Sequence, residues 1–482
     1  MVFLKDTILK KLQSNPVAQQ MLQFGNNIGN LFPNEEALCM ASAFMQDKQT
    51  RIVVKKNRYE AQQLYQRLKP LVEDTLLFVM EESLRVQAIA SSPEDKQEQL
   101  YVLTQLVKED KPRIIICNTA AFLRYLPDKE LFKSLCFKFE VDQEITMAEL
   151  KQKLNRAGYT KVNYVDRPCT YASRGGIVDV YCLEYEHPIR IEFFDTVIES
   201  IRLFHEETQR TIQTIDSVLI NPATDLLFTD DQIEYLQKEI DSELEKQQAK
   251  LIQDDYEFLL DYIEKDKISI ENYDIDPHLY IYFSYLNANK LTDYVNGHII
   301  FSSQEEVENG YKKLNEETIS FIQEMVESHQ YLPKYSMFHD IFTFEKEHKI
   351  QMFHDFLDFK HPIFSKIETL EKSDQPLIQI LENLKGKNIY ISLDEEHTKK
   401  VQEALKAYSI HRNITFIEDD FYEGFTYEDI SVYTQQELFH RPSQIKRYQK
   451  TFKQGQILQN ILELEPNDYV VHEQYGIGQY VG

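Results

Sequence analysis

The chain has 482 residues, and its 53 basic against 79 acidic side chains leave a formal charge of −26. That length allows about three domains, and a hydrophobic content of 42% is too high for a disordered chain. The acidic balance excludes a protein whose whole surface grips a phosphate backbone, though not a local basic patch. No apolar run approaches the ~20 residues of a membrane span, so no membrane partner is expected. The N-terminus MVFLKDTILKKLQSN has no apolar stretch followed by a small-residue cleavage site, so it is not read as a secretory signal. Five scattered cysteines (Cys39, Cys117, Cys136, Cys169, Cys182) contain no CxxC. This speaks against a disulfide framework or a zinc site and for a reducing, cytoplasmic setting. His348 and His354 are six apart, off any common helical face, and no metal is expected.

Residues 1–140 read as α/β. QTRIVVKK (Gln49–Lys56) is a buried-strand pattern. Asn57 is placed to cap a following helix with Ala61, Leu64, Tyr65 and Leu68 at helical spacing. DTLLFVM and PRIIICN are further strands, the second followed by a helical TAAFLRYL. Strands alternating with helices predict a parallel sheet covered on both faces. From about 141 to 225 the pattern changes. EITMAELKQKLNRAGYTKV predicts one helix. Three β runs with short connections follow, Gly175–Cys182, Pro188–Asp195 and Val197–His205, and predict antiparallel strands. This is an α+β insertion between two halves of the first domain.

Residues 230–276 carry 16 acids against 5 bases and read as helical with a solvated acidic face. HLYIYFSY and HIIFSS are read as strands where α/β character resumes. A further α/β unit follows in KNIYISL, EEHTKKVQEALKAY, ITFIED and ISVYTQ. From Arg441 to Lys453 there are five positive side chains and no acid, which reads as a linker or docking segment.

Three motifs suggest nucleotide chemistry. A P-loop needs G-x4-G-K-[ST], whose amides and lysine hold phosphates. The only Gly-Lys pair is Gly386–Lys387, and Leu381 stands five residues before Gly386, so there is no P-loop. IYISLDEEH looks like a helicase DExH box, but without phosphate-binding glycines it has nothing to act on. Asp394 is instead expected to end a strand and cap the helix from Glu395. GIGQYVG (Gly476–Gly482) has G-x-G-x3-G spacing and no helix after it. It is expected to form turns between strands of a small β-barrel whose remainder lies outside this chain.

PIRIEFFD is the segment that suggests a binding surface. Alternation places Ile189, Ile191 and Phe193 on one face and Arg190, Glu192 and Phe194 on the other. Arginine and an aromatic on one exposed sheet face are residue types that dominate protein–protein hot spots. The competing reading tucks Phe194 under the Asp195–Thr196 turn and pairs Arg190 with Glu192. Spacing alone leaves both open.

The longer block SRGGIVDVYCLEYEHPIRIEFFDTVIESIRLFHEETQRTI (Ser173–Ile212) resembles the UvrB-homology module of the transcription-repair coupling factor (Mfd) family, a block shared with UvrB. NDYVVHEQYGIGQYVG (Asn467–Gly482) looks like the first strands of that family's RNA polymerase-interacting domain. PRIIICNTAAFLRYLP (Pro112–Pro127) also looks like its first domain. The resemblance implies a degenerate helicase-like domain, of P-loop NTPase type but without the P-loop, in two halves, 1–140 and 226–370. The UvrA-binding insertion would be 141–225. A small separate α/β domain would span 371–440 and a basic linker 441–466, with the start of the polymerase-binding barrel at 467–482. Where active helicase folds carry a P-loop, this chain has NLFPNEEALCMASAF (Asn30–Phe44). UvrB's tyrosine-rich DNA hairpin has no counterpart in Asp74–Pro112. By resemblance the UvrA-binding positions are Arg174, Arg190 and Phe194, with Arg202 and Arg210 as neighbours. No cofactor is expected in this chain. ATP, magnesium and translocation on DNA would belong to domains beyond Gly482, and RNA polymerase binding by this chain is expected to be poor. The implied function is a non-catalytic adaptor that recruits UvrA to stalled polymerase in nucleotide excision repair. The alternative is a UvrB-like NTPase or helicase acting on damaged DNA.

Overall fold

The computed structural model describes residues 4–23, 28–29, 31–82, 93–274, 276–354, 364–371, 375–418, 421–439, 469–472 and 476–479. It divides into two units, Met1–Ile445 and Lys446–Gly482. The first is mixed α/β. Its main sheet holds β1 (Ile28–Gly29), β2 (Arg51–Lys55), β3 (Thr75–Phe78), β4 (Ile114–Asn118), β13 (His298–Phe301) and β14 (Ile350–His354). They lie in the order β1-β14-β13-β2-β4-β3, every neighbour parallel. Every residue of β2 and β4 is buried, as a parallel sheet sandwiched between helices requires. Ile52, Val54, Ile115 and Phe301 enter one apolar cluster, and Val53, Ile114, Ile116 and Ile300 enter the other. Asn57 caps the helix Arg58–Leu68 by accepting from the Glu60 amide at 2.9 Å, as the sequence predicts.

The sheet is built from two stretches, 28–118 and 298–354. Everything between is an excursion that leaves the sheet after β4 and returns at β13. The helix predicted as EITMAELKQKLNRAGYTKV ends at Arg156. Gly158 then adopts φ +81°, where a left-handed turn favours glycine, and Thr160–Lys161 become a strand. Only Thr119–Leu123 of TAAFLRYL is helical. HLYIYFSY is not a strand. Pro277–Tyr285 is a 3-10 helix with Leu279–Phe283 all buried. An apolar run buried on every side carries no periodicity to separate the two forms.

The later strands are β15 (Glu368–Thr369), β16 (Asn388–Ser392), β17 (Ile414–Ile417), β18 (Phe425–Tyr427) and β19 (Ile430–Tyr433), in a mixed sheet ordered β15-β18-β19-β16-β17. This sheet has an apolar cluster of its own, with Leu381, Ile391, Leu393 and Val401, and also packs against the first. Phe421, Phe425, Tyr427, Ile430 and Val432 share one apolar cluster with Leu38, Val53 and Ile114. Arg67 meets Glu423 at 2.8 Å across the junction, and Lys11 bonds Asp429. In the second unit, β20 (Tyr469–His472) pairs antiparallel with β21 (Gly476–Gln479). GIGQ is therefore strand. Arg441–Lys453 lies outside the described residues. No helix of the described residues is long and apolar enough to cross a membrane.

One buried histidine gives the main sheet a pH dependence. His298 opens β13 directly opposite Arg51 of β2. Burial, and then the charge of Arg51, pushes its imidazole down to about 4. Between the ordinary value near 6.5 and about 4, the unfolded chain takes up a proton that the folded chain refuses. The stability His298 confers is therefore full above pH 6.5 and lost as pH falls toward 4. His298→Gln is expected to lose about 2 kcal/mol less than wild type between pH 7 and pH 5. Urea unfolding at the two pH values measures this, and equal losses would refute it.

Candidate protein-binding face

The excursion carries a second, six-stranded sheet: β6 (Thr160–Lys161), β7 (Thr170–Arg174), β8 (Ile177–Tyr181), β9 (Ile189–Phe194), β10 (Val197–Phe204) and β11 (Thr211–Ile215). Its order is the reverse of its sequence, β11 to β6, with antiparallel neighbours throughout β7–β11. At its root, β5 (Phe137–Glu140) pairs with β12 (Ser217–Ile220). One face is apolar: Val178, Val180, Ile189, Ile191, Ile198 and Ile201 join Leu150 and Leu154 of the helix Met147–Arg156 in one cluster.

The opposite face holds the candidate residues in two rows. Register aligns Arg174, Ile177, Glu192 and Ser200 in one row, and Ala172, Asp179, Arg190, Arg202 and Thr214 in the next. Arg190 does not pair with Glu192. Its Nε and Nη2 donate to Asp179 Oδ1 and Oδ2 at 2.7 and 2.8 Å, and Nη2 also donates to Gln209 Oε1 at 2.7 Å. Its guanidinium carbon lies 4.3 Å from the centre of the buried Phe204 ring. The Asp179 carboxylate raises the basicity of Arg190. Glu192 instead accepts from Arg202 and, at 2.7 Å, from Ser200. The Arg190 guanidinium is thus engaged inside the sheet.

Phe194 is not tucked under its turn. Its ring is 74% exposed. Asp195 follows at φ +57° and turns the chain into β10. Arg174 is also exposed, with Nη2 donating to the Asn163 carbonyl. Both lie at one end of the sheet, beside the Gly175–Gly176 turn. Gly175 has φ +57°. A Cβ on Gly176 would meet the Phe193 carbonyl at 3.0 Å, and the Phe193 amide donates to Gly176 O at 2.8 Å. Arg210 stands at the other end, in the turn between β10 and β11, exposed. The structure therefore sets Arg174 and Phe194 at the same end of the sheet, on β7 and β9 with β8 between them, engages Arg190 and Arg202 with Asp179 and Glu192, and leaves Arg210 at the other end. Sequence reasoning missed Asp179, Phe204, Gln209 and Tyr164. Gln209 donates to the Tyr164 hydroxyl at 2.8 Å, tying the β10–β11 turn to the loop before β7. A cross-strand acid opposite Arg190 was the signal that could have found Asp179.

At the carboxyl ends of β2 and β13 the chain's own side chains meet. Ligands of parallel sheets bind beyond the carboxyl ends of strands, at helix N-termini. There the helix Pro33–Asp47 places Glu36, 2% exposed. Glu36 accepts from Lys55 Nζ at 2.5 Å and from Ser302 Oγ at 2.9 Å. Glu35 takes the Phe32 amide at 2.9 Å. Asp394 caps the helix Glu395–Ala407 by accepting from the His397 amide at 2.8 Å, and Gln435 donates to it at 2.6 Å. Among the described residues no group of His, Cys, Asp or Glu could hold a metal ion.

An α/β protein with an antiparallel sheet inserted in its parallel one is the class these features define. The sequence model of one family, described as the UvrB interaction domain, matches residues 137–226. The chain is 28% identical over 467 residues to a transcription-repair-coupling factor of Bacillus subtilis (strain 168), covering 88% of this chain and 39% of that protein. It is 26% identical to the protein of that name from Staphylococcus haemolyticus, and 24% identical to that from Staphylococcus aureus (strain bovine RF122 / ET3-1). Each of these matches covers 94% of this chain and 42% of the relative. The chain thus spans about two fifths of the length of these curated relatives. The resemblance read from Ser173–Ile212 is the one the comparisons return.

Proposed function

We propose that this chain is a non-catalytic adaptor that recruits UvrA in transcription-coupled nucleotide excision repair. The observation that carries the reading is the exposure of Phe194 and Arg174 at one end of a sheet inside the segment that matches the UvrB interaction domain. The aromatic supplies apolar contact and the arginine stem and fork supply direction. Arg190 and Arg202 hold the strands beneath them. The buried Glu36–Lys55 pair at the carboxyl end of β2 and the absent P-loop favour an adaptor over an NTPase. ATP-driven translocation, DNA and RNA polymerase are proposed for the longer proteins that the relatives represent. The test is co-elution of the purified chain with UvrA, with and without DNA, alongside phosphate release from ATP. A stable complex and no saturable turnover are expected. Failure to co-elute, or turnover lost in Asp394→Ala, would sink the proposal.

A further inference from the structure

β6 and β7 run parallel, with Thr160 opposite Thr170 and Lys161 opposite Tyr171. Parallel neighbours cannot be joined by a hairpin, so residues 162–169 must travel back along the sheet to begin β7. They stay close to it. The Val162 amide donates to Tyr171 O at 2.9 Å, Val165 is 1% exposed, and the Arg167 carbonyl accepts from Thr170 Oγ1 at 2.5 Å. The return lies on the polar side of the sheet. The Asn163 carbonyl accepts from Arg174 Nη2, and the Tyr164 hydroxyl meets Gln209, which also bonds Arg190. Arg174 and Arg190 both stand in the polar rows. Residues 162–169 are a strap over the candidate face.

One side chain fastens the strap to the far side of the sheet. Tyr164 donates its hydroxyl hydrogen to the Glu206 carbonyl and accepts from Gln209 Nε2 at 2.8 Å. Gln209 is itself fixed in the β10–β11 turn. Its amide donates to His205 O at 2.8 Å, its Nε2 also donates to Glu206 O at 2.8 Å, and its Oε1 accepts from Arg190 Nη2 at 2.7 Å. The hydroxyl thus reaches a well-held turn through two bonds, while the Tyr164 residue is 40% exposed. Next to this latch in the chain, Asn163 holds Arg174. Among the described residues the Arg174 guanidinium pairs with no carboxylate, and the Asn163 bond engages one of its nitrogens. An exposed arginine has many rotamers to lose on binding, and holding one nitrogen beforehand removes part of that cost.

We propose that Tyr164 is a positioning residue: its hydroxyl latches the strap, and the latched Asn163 carbonyl presents the Arg174 guanidinium to a carboxylate of the partner. The choice of partner rests on the UvrA reading, and the latch does not. A bound carboxylate would take the remaining guanidinium donors, which the planar fork offers in a fixed direction once one nitrogen is tied. Tyr164→Phe removes one oxygen and both latch bonds while an aromatic ring stays in place.

Chymotrypsin cuts after tyrosine and phenylalanine alike, and cleavage of a native chain follows the population of the opened segment. Without UvrA, the Tyr164→Phe chain should be cut after residue 164 several-fold faster than wild type, with its circular dichroism unchanged. Titration calorimetry with UvrA should show an affinity lower by about fivefold, the size of one net hydrogen bond. In an Arg174→Ala background the same substitution should change affinity by less than about twofold, since the group it positions is gone. A merely structural role would weaken both backgrounds alike. Cleavage no faster than in wild type overturns the latch. Equal losses in the two backgrounds, or tighter binding by Tyr164→Phe, overturn the positioning role. A wild-type chain that does not bind UvrA overturns the UvrA reading and the choice of partner with it, and the cleavage rates still decide the latch.

Discussion

Phe194→Ala is expected to weaken UvrA binding by tens-fold or more while the melting temperature stays at the wild-type value. Arg190→Ala is expected to lose binding and stability together. The two differ because of where the side chains stand. The Phe194 ring is 74% exposed, so truncation removes little that the folded chain uses. What it removes is an apolar anchor for a partner, and such hot-spot truncations cost about 2–4 kcal/mol, each 1.4 kcal/mol being tenfold. Arg190 is different in kind. Its side chain is 20% exposed, and its two bonds to Asp179 hold β8 to β9 while Gln209 ties in the β10–β11 turn. Removal strands the Asp179 carboxylate, at about 1–3 kcal/mol. Arg190→Lys should recover only part, because an ammonium cannot span two carboxylate oxygens in parallel. Titration calorimetry with UvrA and thermal melts separate the effects. If Phe194→Ala binds within twofold of wild type, the anchor lies elsewhere, and the basic stretch Arg441–Lys453 is the next place to look.

Glu36→Ala should destabilise the fold more than Arg190→Ala does, by about 3–5 kcal/mol. It leaves the Lys55 ammonium buried without its carboxylate and takes the acceptor from Ser302. Lys55 and Glu36 side chains are 9% and 2% exposed, so water cannot replace the lost partner. Removing both charges at once, as Glu36→Leu with Lys55→Met, should cost far less, because neither ion is then left uncompensated. Chemical denaturation of the wild type, the single variant and the double variant measures the contrast. Equal destabilisation by the single and double variants would show that packing, rather than the uncompensated charge, sets the cost at this site.

The class of sheet, the helix caps and the shared face of Arg190 and Phe194 were legible in the residues themselves. Continuous apolar runs at Ile52–Val54 and Ile114–Cys117 announced buried parallel strands, because a strand covered on both faces has no polar side to alternate with. Asn57 and Asp394 announced their helices, since a cap is a local bond within three residues. Alternation in PIRIEFFD put Arg190 and Phe194 on one face for the same local reason. Tertiary structure decided the rest. Whether Arg190 faced a partner or Asp179 depended on the register of β8 against β9, which a single strand does not encode. Pro277–Tyr285 became a 3-10 helix because burial on all sides erased its period. The bonds of Glu36 to Lys55 and Ser302 joined residues 19 and 266 positions apart in the chain. Only packing of the parallel sheet against its covering helix brings those side chains together.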